Sequence, residues 1–259
     1  MFIEGRIFAF IYVCALTAVL LQHMNRARKG ELFDVREIPA LRAIDEGIGR
    51  ATETGGAVHF SSGLPALSSQ TRAGITVASF DYLGYIARKC AEFDTRLIVS
   101  CAQGDVYEVS HEMVRTSYAQ VDALDRLKPD TVRYLSSEQF AFGSAVANIF
   151  MKEKVVTSVM VGGWADEALF VAEAGHLAGA VSVGGTTNEY QVPMFVAACD
   201  TILIGDELVV GGIYLSEEKV ELGAVAALDW GKAVVVALLL VGPILATLNV
   251  DFLTKLLSW

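Results

Sequence analysis

Basic residues are scarce in the middle of this chain. From Gly30 to Gly231 there are 14 Lys and Arg against 28 Asp and Glu, a net charge of −14. A domain of that sign repels phosphate backbones and anionic headgroups, which disfavours nucleic acid as a partner and a domain lying flat on lipid. Cysteine is sparse too. Cys14, Cys90, Cys101 and Cys199 form no CxxC pair and show no metal-ligand spacing. Reduced, mostly buried thiols are the plain reading, consistent with a domain on the cytoplasmic face. Catalytic signatures are also missing: there is no GxSxG, no GxGxxG and no GxxxxGK[ST]. Nor is there an HExxH, because the pair His111–Glu112 lacks the second His. The sequence calls for no metal and no cofactor.

Charge is absent altogether from two stretches. Ile7 to Asn25 runs 19 residues without it, and Ala233 to Val250 runs 18. Crossing about 30 Å of hydrocarbon takes roughly 20 apolar helical residues, so both are transmembrane candidates. A cleaved signal peptide is the rival for the first, but Gln22, His23 and Met24 do not supply the small residues of a cleavage site. A buried core helix is the rival for the second, and its place between Lys232 and Lys255 favours a span. Pro243 would kink it, which membrane helices tolerate. Arg26, Arg28 and Lys29 follow the first stretch and Lys232 precedes the second, with Arg6 and Lys255 alone outside the pair. The positive-inside tendency then places the middle of the chain in the cytoplasm and both termini outside, at the cell membrane. The expected organisation is an anchor over 1–25, a linker or helix over 26–56, an α/β domain over 57–230, and a second span with an interfacial tail over 231–259.

Between the spans, Leu41, Ile44 and Ile48 recur at helical spacing and Gly55-Gly56 ends the pattern. Short apolar runs follow at Ala57–Phe60, Arg96–Ser100, Thr131–Leu135, Val155–Val161, Ala180–Val183 and Thr201–Ile204. Helical segments separate most of them: Arg72–Phe93, Val106–Leu127, Glu138–Met151, Asp166–Ala174 and Glu189–Ala198, with Asp206–Trp230 after the last. This alternation predicts an α/β fold: a roughly six-stranded, mainly parallel, Rossmann-like sheet with helices on both faces.

Two of the strand ends look alike. "TSVMVGGWADE" and "GAVSVGGTTNE" each run from an apolar strand through Gly-Gly to Asp or Asn and then Glu. One reading is chain geometry: glycines for a tight turn, Asp166 or Asn188 as N-cap, and Glu167 or Glu189 in the first helical turn. The other is a ligand crevice beyond the carboxyl ends of the strands, where such sheets bind their ligands. Its candidate residues are Ser61, Ser62, Asp105, Gly162, Gly163, Asp166, Gly184, Gly185, Glu189 and Asp206. The acids there would repel phosphate, so a small polar or cationic ligand fits better. For nucleophilic chemistry, His59 stands beside Ser61 and Ser62 at the end of the first strand, and Cys101 ends the second. His59, His111 and His176 could each act as base, and spacing selects none of them.

The order of an N-terminal span, "VHFSSG", "VGGWADEALFVAEAG", "GGTTNEYQVPMFVAACDTILIGDE" and a C-terminal span resembles an uncharacterised family of prokaryotic two-span membrane proteins, a domain of unknown function. The resemblance covers nearly the whole chain and implies the two-anchor architecture. It carries no activity and no site residues. Two function classes follow. The first is a membrane-anchored, self-associating scaffold or subunit of a membrane complex, whose Ala/Gly-rich helices "FGSAVANIF" and "ALFVAEAGHLAGA" suit close packing. The second is a small-molecule sensor or enzyme using the strand-end crevice.

Overall fold

The computed structural model describes residues 7–29, 38–216 and 219–247. They divide into two compact units, one of residues 37–216 and one of 1–36 with 217–259.

The larger unit holds a single six-stranded sheet, every strand parallel to its neighbours, in the order β3-β2-β1-β4-β5-β6. The strands are β1 (Ala57–Gly63), β2 (Arg96–Cys101), β3 (Val132–Tyr134), β4 (Val155–Gly163), β5 (Val181–Thr186) and β6 (Thr201–Ile204). This is the doubly wound order of a Rossmann-like fold, and its direction reverses between β1 and β4. These two central strands are buried almost end to end, as strands covered on both faces must be. The apolar runs in the sequence found all six.

The helices form two layers. On one face α2 (Pro39–Thr54), α3 (Ala73–Glu92), α4 (Gly104–Gln120) and α8 (Asp206–Ser216) enclose a core with Ile44, Ile48, Tyr82, Leu83, Ile86 and Leu208. On the other, α5 (Gln139–Lys152), α6 (Glu167–Leu177) and α7 (Val192–Ala198) enclose Phe142, Val146, Phe150, Trp164, Val171 and Phe195. Strand residues alternate between the two cores, with Val58 and Phe60 in the first and Ala57 in the second.

One helix boundary differs from expectation in a way the backbone explains. The helix expected over Val106–Leu127 ends at Gln120, because Asp122 takes a left-handed φ of 53° and Leu124–Arg126 form a separate 3-10 turn. Over the stretch Asp206–Trp230 the described residues are helical, as α8 (Asp206–Ser216) in this unit and as part of α9 (Lys219–Thr247) in the other.

In that smaller unit α1 (Ile7–Arg28) packs antiparallel on α9. Gly223 lies against the His23 backbone and Ala27, Gly231 lies against Leu16, and the Tyr12 hydroxyl donates to Gly231 O at 3.2 Å. Glycine at these crossings lets the helix backbones approach. The sequence leads to two spans, yet among the described residues one stretch, Val220–Ile244, is long and apolar enough to cross a membrane. In α1, Gln22, His23, Asn25, Arg26 and Arg28 fill the last two turns and dilute the apolar run.

Candidate functional site

The topology puts its natural crevice where β1 and β4 part, beyond Gly63 and Gly163. Here the crevice is filled by the chain itself. Gly63 (φ +83°) faces Gly163 so closely that a Cβ on it would overlap the Gly163 carbonyl oxygen. Leu64 N donates to that same oxygen at 2.8 Å. Gly162 has φ +151°, and a Cβ there would overlap the Ser62 carbonyl. The Pro65 ring covers Gly163. The segment after Leu64 is then tied over the strand ends. Gln103 Nε2 donates to Leu64 O at 3.0 Å, and Asp105 Oδ2 accepts from Leu67 N at 2.8 Å and Ser68 N at 3.3 Å. The first Gly-Gly thus lets two strands close on each other and leaves no room between them.

The second Gly-Gly does something different. Gly184 has no positive φ, but a Cβ on it would stand 2.7 Å from the Phe195 ring and 2.9 Å from Cys199 Sγ. It exists so that α7 can pack flat on β5. Gly185 is likewise buried, against Val161.

The capping expectation holds in position at the first turn and is corrected at the second. Asp166 occupies the N-cap of α6 in helical backbone (φ −66°, ψ −20°), and its side chain makes no cap hydrogen bond. Glu167 reaches back instead, with Oε1 accepting Ala165 N at 2.9 Å. Asn188 is not a cap: proline in the first turn fixes the start of α7 at Val192, and Asn188 Oδ1 accepts Tyr190 N at 3.1 Å in a local turn. Glu189 is exposed and precedes that helix, and Asp206 is exposed at the start of α8. Ser61 and Ser62 are buried: Ser61 Oγ donates to Ser100 O at 2.9 Å and accepts from Gly63 N at 3.2 Å. The structure therefore brings Ser61, Ser62, Gly162 and Gly163 together as packed backbone, while Asp105, Asp166, Glu189 and Asp206 face solvent. Among the described residues, no group of three or more His, Cys, Asp or Glu could hold a metal.

His59 sits in the middle of β1, not at its end, because the strand runs on to Gly63. Its ring is fully buried, bridging Ser158 Oγ and Ser100 Oγ at 3.0 Å each, edge-on to Phe150. Burial, with the positive charge of Arg133 adding to it, pulls its pKa down to about 3. The imidazole is neutral and both nitrogens are used, so it ties three adjacent strands together and offers no base to a substrate. His111 and His176 are exposed on α4 and α6. Cys101 is buried, and that burial pushes its thiol up to about 12, far from a reactive thiolate.

Sequence reasoning missed the polar groups just past β4. Glu167 is fully buried and desolvation raises its pKa. Among the described residues, neither its Oε2 nor Trp164 Nε1 has a hydrogen-bond partner of normal geometry, although the Gln139 amide stands beside the carboxyl. Gln191 Oε1 accepts Thr186 Oγ1 at 2.8 Å and Trp164 N at 3.3 Å, joining the ends of β4 and β5. The sequence signal was there in part: Glu167 precedes Ala168, Val171 and Ala172, so it shares the inward face of α6. A carboxyl whose folded pKa is raised stabilises the fold below the unfolded value and loses that contribution as pH rises through the folded one. Glu167→Gln is therefore expected to raise the melting midpoint more at pH 8 than at pH 5.

Two open cavities lie away from this point. A groove of about 640 Å³ runs between α3 and α4, lined by Tyr85, Arg88, Glu112 and Met113 among others. A smaller one of about 170 Å³ lies at the opposite, amino-terminal edge of the sheet, beside Arg96 and Thr131. Comparison with curated proteins and with solved structures gave no match. Residues 1–257 match a family model described as a domain of unknown function, and this chain belongs to that family, DUF6754.

Proposed function

We propose that this chain is a membrane-anchored, self-associating assembly domain, a scaffold or subunit of a membrane complex rather than a catalyst. The observation that carries the reading is the closed switch point: where this fold takes its ligands, Gly63, Leu64 and Pro65 already lie on Gly162 and Gly163. Anchoring rests on Val220–Ile244 and on the pairing of α1 with α9. In this reading α1 is the second span, and Arg26, Arg28, Lys29 and Lys232 beside the two helices support a cytoplasmic acidic unit with both chain ends outside.

The mass of the detergent-solubilised full chain tests assembly. A homogeneous multiple of 27.8 kDa is expected, and a monomer removes the reading. Orientation is tested in intact cells on a Cys14→Ser background. Glu53→Cys should stay unlabelled by a membrane-impermeant thiol reagent, and a cysteine placed after Lys255 should react.

A second reading, a sensor or enzyme for a small polar or cationic ligand, is favoured by Trp164 Nε1 and Glu167 Oε2, which lie buried past β4 without partners among the described residues. Saturable binding of such a ligand, abolished by Glu167→Gln, would select it.

A further inference from the structure

Resting on the assembly reading, we propose that the outer face of the α5–α6–α7 layer is the surface on which a second copy of this chain docks. That face is apolar where a helix layer is normally charged. Phe140, Met151, Leu169, Phe170, Leu177 and Val196 all point outward, with Leu177 75% exposed. Monomeric proteins rarely leave a contiguous patch of this kind uncovered. The patch is one surface because α5 and α6 are pressed together. A Cβ at Gly143 would stand 3.5 Å from the Phe170 ring, and one at Gly175 would stand 3.4 Å from the Phe150 ring.

Charge selects the occupant. The three helices hold only Lys152, Glu167 and Glu173 as Lys, Arg, Asp or Glu residues, and Glu167 is buried. Opposite them, α3 and α4 carry Asp81, Arg88, Lys89, Glu92, Asp105, Glu108, Glu112 and Arg115. Two copies of a domain with a net charge of −14 across Gly30–Gly231 repel when acidic faces meet. On this layer they bring together mostly rings and methyl groups, with Glu173 the one exposed carboxylate of the three helices. A basic partner would prefer an acidic face, and an anionic lipid surface would be repelled by the domain as a whole. The exposed side of α5 adds Ala141, Ser144 and Asn148, small enough for two helices to approach across a two-fold axis.

The experiment uses the full chain in mild detergent. Phe140→Glu with Leu177→Glu is expected to shift the particle toward monomer and weaken association at least about tenfold, with an unchanged melting midpoint. Val77→Glu, at an exposed apolar position of α3, should keep the wild-type mass. Ser144→Cys on a Cys14→Ser background should cross-link to itself in purified protein with a short bifunctional thiol reagent. An assembled wild type whose face variant keeps its mass overturns this surface and leaves the assembly reading standing. A monomeric wild type overturns both. Loss of assembly in the face variant without self-cross-linking at Ser144 overturns the two-copy pairing.

Discussion

Gly63→Ala is expected to cost about 3 kcal/mol or more of folding stability, enough to unfold a marginal domain at physiological temperature. Two effects add. An L-residue at φ +83° costs about 1–2 kcal/mol. The new methyl group would also overlap the Gly163 carbonyl, and backbone on both sides must move to relieve it, at about 1–3 kcal/mol. Gly179 supplies the control. Its φ is +79°, but nothing lies within 4 Å of where a Cβ would be. Gly179→Ala should therefore lose only the conformational part, about 1 kcal/mol. Denaturant midpoints of the two variants, measured side by side, isolate the close approach of β1 and β4. Equal losses would mean that the strands are not clamped at the switch point.

The second large effect is at His59. His59→Ala opens a cavity at the centre of the sheet and leaves the Ser100 and Ser158 hydroxyls buried without their partner. A loss of about 3–5 kcal/mol is expected. The same residue sets an acid limit. Its pKa is about 3 in the folded chain and about 6.5 when unfolded, so the unfolded state binds the extra proton between those values. The neutral ring stabilises the fold fully above pH 6.5, and that contribution falls as pH drops toward 3, by up to about 1.4 kcal/mol per pH unit. His59→Gln should be less stable than wild type at pH 7 yet lose less on acidification to pH 4. A wild type and variant with parallel pH profiles would show that the ring is not held neutral.

The sheet was legible because parallel strands covered on both faces read as apolar runs, and helices between them read at a different period. Strand order followed only as a class, since nothing in "VHFSSG" says which neighbour it pairs with. The candidate site was legible as a place but not as a content. Alternating small polar and glycine residues at strand ends look the same whether they line a crevice or fill one. The difference lies in contacts between Gly63 and Gly163, 100 positions apart. Asp166 stands at the N-cap position it reads as, without a side-chain cap hydrogen bond, whereas Asn188 lies before a helix whose start proline fixes. Glu167 followed the helix parity of its apolar neighbours, a stronger guide than its own charge.

The pairing of α1 with α9 has a consequence for synthesis. Their contacts join Leu16 to Gly231 and Ala27 to Gly223, so the first helix leaves the ribosome roughly 200 residues before its partner. At about 5–20 residues per second that is on the order of 10–40 s. The whole sheet, whose most distant pairing is β1 with β4, has time to close first. Throughout that wait the α1 side of the joint, with Leu16 and Ala27, has no mate and needs temporary shelter. The length of the inserted domain acts as a delay line: lengthening its loops would prolong the exposure of α1 without touching a single contact in the finished protein.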